Sequence, residues 1–340
     1  MQIEKKCYFG IDVSKLWFDI SLISVIDNQK APMITDRFDN SSEGLVLLDK
    51  WLKKHQVPFG ENTLVVIENT GVYHRLIWEY CSHHNLNLHI GNAAQIKWSL
   101  GITRGKDDAT DSKRLCTYCY RHADELKATP ALDPVFIQLK DLMTARSRLL
   151  KQINSIKVYL KELKLFNSKE VQKVMEQAHK AALSGLQKSL LQIQGEIKKI
   201  LRQNITIENN YDLLLSVPGI GHITAVYIIC CTNNFASKIN GKQLACYAGV
   251  VPFANTSGTS IKGKNKVHKM ANKELKKLLH LCALSAVKNY PEFKVYFERK
   301  KIEGKHPMVI LNAVRNKIVL RAVAVVKNQR QYVDNYKKAA

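Results

Sequence analysis

The 340-residue chain is 46% hydrophobic, 24% charged and 8% aromatic, which places it among globular proteins and excludes a disordered or fibrous chain. Its 52 Lys and Arg against 29 Asp and Glu leave a net charge of +23, which argues for a polyanionic partner, nucleic acid ahead of an anionic membrane surface. From Ile261 to Ala340 there are 20 Lys and Arg against 5 Asp and Glu, so +15 of the charge is concentrated there. No apolar run approaches the roughly 18 residues needed to span a bilayer. The N-terminus (MQIEKKCYFGIDVS) lacks the pattern of a cleaved leader, so no membrane partner and a cytoplasmic location are expected. The eight cysteines fall mostly in apolar stretches and are expected to be reduced core residues. Cys116-x-x-Cys119 has no second pair at zinc spacing.

In chain order, KCYFGIDVS and LWFDISLISVID predict two strands, separated by a polar stretch (DNQKAPMITDRFDNSS) from a helix over 43–55, capped by Ser41 or Ser42. TLVVIE (63–68) predicts a buried strand, 72–85 a helix and LNLHIGN (86–92) another strand. This alternation implies an α/β sheet with parallel members. Between Pro134 and about Gln203 the pattern turns helical, with Leu139, Leu142, Leu149, Ile153, Ile156, Leu160 and Leu163, then Leu186, Leu190, Ile193 and Ile197. Such long patterns without breakers predict an antiparallel helical hairpin or coiled coil, acting as a spacer or dimerisation arm. From Ile205 to Tyr332 a mostly helical basic region is punctuated by VPGIGHITA, YAGVVPF and NTSGTSIKGKNK. Its last helix, 308–327, is expected to turn Val309, Ala313, Ile318, Ala322 and Val325 inward and to carry a basic face of Arg315, Lys317 and Arg321.

Four acids stand where a metal site could be assembled. Asp12 and Glu68 end strand-like runs, the edge of an α/β sheet where reactive groups converge. Asp108 and Asp111, in GKDDATDSKRL, share a helical face. Converging carboxylates repel one another unless a cation lies between them, and their hard oxygens suit Mg²⁺ or Mn²⁺. Arg104 and Lys106 flank the acids, as a phosphate approaching a metal would require. The competing reading makes these acids turn residues and helix caps. Farther along, Ser257, Thr259 and Ser260 place three hydroxyls within four positions, a pattern that by itself reads as a turn. Lys262, Lys264 and Lys266, with Lys269 beyond, read as phosphate contacts from a loop. Gly219 and Gly221 in VPGIGHITA permit close backbone approach to a phosphate, or an ordinary turn between helices.

FGIDVSK, IENTGVYH, NAAQIKWSLGITRGKDDATDSKRL and YAGVVPFANTSGTS, in that order, resemble the DEDD-type insertion-sequence transposases related to the Piv DNA invertase, a group of RNA-guided bridge recombinases. The resemblance implies an α/β RuvC-like (RNase H-like) domain over 1–130 and a helical coiled coil over 131–207. It further implies a mostly α-helical transposase domain over 208–340 carrying the serine and the basic surface. Carried over by position, the tetrad is Asp12, Glu68, Asp108 and Asp111, holding Mg²⁺ or Mn²⁺, and the serine preceding Gly is Ser257, with Ser260 as runner-up. Ser112 departs from the Ala usual after the last acid, and Asp107 would also share a face with Asp111; Asp108 is taken as the ligand.

The resemblance implies a nucleoid-associated homo-oligomer, dimer or tetramer, that cleaves and rejoins donor and target DNA. A structured non-coding bridge RNA would guide it, and a site drawn from two domains would join the serine to the acids. A RuvC-like nuclease resolving branched DNA with water as nucleophile needs the tetrad but not Ser257. A basic nucleic-acid-binding protein without catalysis needs neither.

Overall fold

The computed structural model describes residues 4–101, 108–131, 133–236, 239–257, 261–268 and 270–333, in two compact units spanning 1–133 and 134–340. The first contains β1 (Lys5–Val13), β2 (Trp17–Ile26), β3 (Gln29–Lys30), β4 (Ile34–Asp39), α1 (Ser42–Lys54), β5 (Thr63–Glu68), α2 (Arg75–His83), β6 (Asn87–Gly91), α3 (Ala93–Ser99) and α4 (Asp108–Arg121).

Its strands form one mixed sheet in the order β3-β2-β1-β5-β6, with β4 also beside β2. Strands β1 and β2 are antiparallel, from Lys5 opposite Ile26 to Val13 opposite Phe18, whereas β1–β5 and β5–β6 are parallel. Strand alternation sorts the side chains. Phe9, Ile11, Phe18, Ile20 and Ile67 join a core with Leu48 and Trp51 of α1 and Ile77 and Cys81 of α2. Helix α1 begins where expected, with the Ser41 hydroxyl accepting from the Gly44 N–H at 3.2 Å. Strand β4 falls in the stretch read only as polar. It is an edge strand with Phe38 alone buried, so it carries no alternating apolar signal.

The opposite face is covered by α4. An added Cβ at Gly10 would lie 2.0 Å from the Cys116 nitrogen and 2.4 Å from the Ser112 carbonyl oxygen, so only glycine lets this helix approach β1. The Cys116 thiol donates to the Tyr8 carbonyl at 3.1 Å and the Cys119 thiol to that of Leu64 at 3.4 Å. The CxxC pair is therefore packing, buried against the sheet. Gly10→Ala is expected to cost about 3 kcal/mol or more, because backbone atoms must move. Chemical denaturation measures this, and a loss under about 1 kcal/mol would contradict the packing argument.

The second unit opens with α5 (Pro134–Phe166) and α6 (Lys169–Gln203), joined by Asn167 and Ser168. Lys164 meets Glu176 at 2.7 Å and Tyr159 lies beside His179, so the two run antiparallel as a hairpin. Only Leu139, Met143 and Ile153 of α5 and Ile197 and Leu201 of α6 are buried, while Leu165, Phe166 and Val174 at the far end are exposed. The rest comprises α7 (Ile205–Leu215), α8 (His222–Thr232), α9 (Gly241–Tyr247), β7 (Pro252–Ser257), β8 (Ile261–Val267), α10 (Lys273–Asn289), α11 (Pro291–Ile302) and α12 (Pro307–Lys327). These helices enclose a core that includes Leu214, Ile229, Leu279, Val314 and Ile318.

Two expectations are corrected in this unit. The segment read as a loop bearing Lys262, Lys264 and Lys266 is β8, antiparallel to β7. Its pairing rests on backbone bonds, which a sequence without apolar alternation does not announce. On α12, Val309 is 60% exposed while Arg315 is buried, because the inward stripe runs through Ile310, Val314, Ile318, Ala322 and Val325. No helix among the described residues is long and apolar enough to cross a membrane.

Candidate active site

The sheet register brings the strand ends that bear two of the acids side by side. Ile11 pairs with Ile67 in parallel, so Asp12 and Glu68 are the next residues of adjacent strands. Asp12 shares the parity of Gly10, and Glu68 that of Val66, so both face the side on which α4 packs. Helix α4 runs antiparallel to β1, with Cys116 over Tyr8 and Ser112 over Gly10. Its first turn therefore lies at the C-terminal edge of β1 and β5. That turn begins at Asp108 and includes Asp111.

Glu68 is half-buried, and loss of water raises the pKa of its carboxyl; the neighbouring charge of Asp111 raises it further. Asp111 itself is bonded by Arg114, one turn on, at 2.7 Å. The loops at this edge are tied together. The Asn40 amide donates to the Ser14 carbonyl at 2.9 Å and to that of Tyr73 at 3.0 Å. Buried His74 accepts the Thr70 N–H on Nδ1 at 3.1 Å, fixing the turn that follows Glu68.

Asp19, directly opposite Asp12, was not among the expected acids. Both its carboxylate oxygens accept from Arg37 at 3.0 Å, so its charge is already balanced. Ser112, standing where Ala is usual, is fully buried and lies 2.8 Å from the Ser21 hydroxyl of β2. Ser112→Ala is expected to cost about 1–2 kcal/mol by orphaning Ser21, and the double variant Ser21→Ala/Ser112→Ala to recover most of it. Denaturation of the three variants checks this, and an additive double variant would refute it.

The donor set fits a divalent cation. Hard carboxylate oxygens are the donor type such an ion prefers, Asp12, Glu68 and Asp111 belong to elements that end at one sheet edge, and the charge of Asp111 opposes ionisation of Glu68. Among the described residues no group of three or more His, Cys, Asp or Glu is gathered closely enough to hold a metal. The Asp108 carboxylate is not part of that comparison, because the side chains of 102–109 lie outside the described residues. Arg104, Lys106 and Lys269 also lie outside them.

In the second unit, Ser257 ends β7 and Lys262 and Lys264 stand on β8, all placed by their backbone. Lys266 is exposed and faces Phe253 across the hairpin. Gly219 has φ +87°, and a Cβ there would fall 2.4 Å from the Cys282 carbonyl oxygen of α10. Its close approach is thus to protein. Gly221 caps α8 and has open space where a Cβ would stand.

A DEDD transposase model of the IS110 type matches residues 9–164, and the model of the IS116/IS110/IS902 transposase family matches residues 211–298. The chain carries the transposase domains of the IS110 family. It is 27% identical to the pilin gene-inverting protein of Moraxella lacunata, across 96% of this chain and 98% of that protein. The same protein of Moraxella bovis is 26% identical with the same coverage. A 43.6 kDa protein of insertion element IS110 from Streptomyces coelicolor is 32% identical over 107 residues, 31% of this chain and 26% of that protein. This IS110-type chain is accordingly a DNA recombinase or transposase, and its substrate is DNA.

Proposed function

We propose that the chain cleaves and rejoins the strands of a mobile element with Asp12, Glu68, Asp108 and Asp111 as the ligands of Mg²⁺ or Mn²⁺ and Ser257 as the nucleophile. The observation that supports this reading is that β1, β5 and the first turn of α4, which bear these acids, reach the same sheet edge, where the charge of Asp111 bears on Glu68. The same arrangement, an antiparallel set of strands continued by parallel β5 and β6, supports a RuvC-like reading of the first unit. Bound there, the cation would offset charge on the attacking and leaving oxygens.

The Ser257 oxygen attacks the phosphorus of a phosphodiester and loses its proton, while the bond to one deoxyribose oxygen breaks and that sugar leaves as a hydroxyl. The phosphoserine link keeps the bond energy, so attack by a hydroxyl of another strand releases Ser257 and rejoins DNA. Lys262, Lys264, Lys266 and Lys269, with Arg104, Lys106 and the open backbone at Gly221, contact nucleic-acid backbone. Backbone contacts carry no sequence information. That fits pairing by a structured bridge RNA as the source of specificity, as the family resemblance implies. Strand exchange between two duplexes needs several copies of the chain. The exposed Leu165, Phe166 and Val174 at the tip of the α5–α6 hairpin support an oligomeric role for it.

The test incubates the protein with element-end DNA, the adjoining non-coding RNA and Mg²⁺, then denatures the mixture. Covalent protein–DNA species that form only with the metal are expected. Cleavage without any covalent species would instead favour a nuclease that uses water.

A further inference from the structure

Helices α10 and α12 hold three nitrogen bases together with no carboxylate among them. Arg315 is only 6% exposed, its Nη2 lies 2.7 Å from Nδ1 of His280, and its Nε has no hydrogen-bond partner among the described residues. A guanidinium only donates, so His280 accepts through Nδ1 and carries its proton on Nε2. Lys276 stands one turn before His280 on the same face of α10. Burial lowers the pKa of both, and the charge of Arg315 lowers each further.

The group gathers at the turn that leads into β7. The Lys276 Nζ would be 3.7 Å from a Cβ built on Gly249, and Asn312, one turn before Arg315, donates to the Val250 carbonyl at 2.8 Å. Two other partly buried arginines have acids bonded to them: Arg37 has Asp19 and Arg321 has Glu292. Arg315 has none among the described residues. A buried cation without a counter-charge is unfavourable unless an anion completes the site.

We propose that Arg315 and Lys276 form an anion site for a phosphodiester group of a nucleic-acid strand, held beside the Gly249–Val250 turn, with His280 orienting the guanidinium through Nδ1. The site rests on the nucleic-acid part of the function proposed above, but not on Ser257 or the carboxylates. The alternative is a helix-packing strut, in which Arg315 and His280 only brace α10 against α12.

The experiment compares the full chain with its Lys276→Gln and Arg315→Met variants in EDTA, where strand cleavage is not needed for the readout. Inorganic phosphate should raise the melting temperature of the parent protein and leave that of Arg315→Met unmoved. Arg315→Met without ligand should melt no lower than the parent, because an uncompensated buried charge has been removed. Lys276→Gln, at a half-buried position, should weaken binding of labelled nucleic acid about 5–10-fold and reduce the slope of log affinity against log salt by about 1. A duplex DNA arm and an RNA hairpin arm identify the strand that occupies the site.

Parent-like salt slopes for both probes in both variants would overturn the proposal. So would equal phosphate stabilisation of all three proteins. A phosphate effect with no change for either nucleic acid would mark a free-anion site and reject the strand. Absence of covalent adducts with Ser257 would leave these readouts untouched, so the two proposals fail separately.

Discussion

Ser257→Ala is expected to abolish covalent protein–DNA adducts and to lower strand transfer by on the order of 10⁴-fold or more, since no other group takes over once a nucleophile is lost. Ser260→Ala should retain both, because the position before Gly258 is the one assigned to the nucleophile. Ser257 ends a strand whose pairing with Ile261 runs through backbone, so the Ala variant keeps the hairpin. Melting temperature and DNA affinity should therefore match the parent. The measurement is gel mobility of end-labelled DNA after denaturation and protease treatment. Adducts that persist in Ser257→Ala and vanish in Ser260→Ala would move the nucleophile. Unchanged metal-dependent cleavage in both would establish water in its place.

Asp111→Asn and Glu68→Gln are expected to lower strand cleavage by about 10³-fold or more, the equivalent of roughly 4 kcal/mol of transition-state stabilisation from a metal that is no longer held. The two should differ in stability without metal. A carboxyl whose pKa is raised on folding favours the folded state at low pH and loses that contribution as pH rises through the raised value. Glu68 is such a group, through burial first and Asp111 second. Glu68→Gln should accordingly raise the melting temperature of the metal-free protein at neutral pH and flatten its fall between acidic and neutral pH. Asp111→Asn also relieves Glu68, but it breaks the ion pair with Arg114, so its net effect should be smaller. Added Mg²⁺ should stabilise the parent and neither variant. Parent-like cleavage by either variant would remove that residue from the site.

Much was legible from the chain alone because it is written in short periods. Phe9, Ile11 and Val13 alternate, as do Val65 and Ile67, so β1 and β5 could be read along with the acids that end them. The Ser41 cap and the long apolar repeats of α5 and α6 were equally local signals. What was missed has no local signature. Strand β4 exposes five of its six residues, and β8 is mostly polar, so each exists because a neighbouring backbone satisfies it. Arg315 was read as surface charge, since a basic residue among valines gives no sign of which side of the helix meets the core.

The order of residues fixed which acids were available, where each strand ended and that a basic C-terminal region would seek a polyanion, since charge and periodicity are properties of the chain itself. Tertiary structure decided the rest by bringing distant residues into contact. It matched Gly10 to the backbone of α4, gave Ser112 the hydroxyl of Ser21, spent Asp19 on Arg37 and brought Glu68 under the charge of Asp111. Each of these depends on burial and on distances across the sheet, and neither exists until the strands and helices have packed.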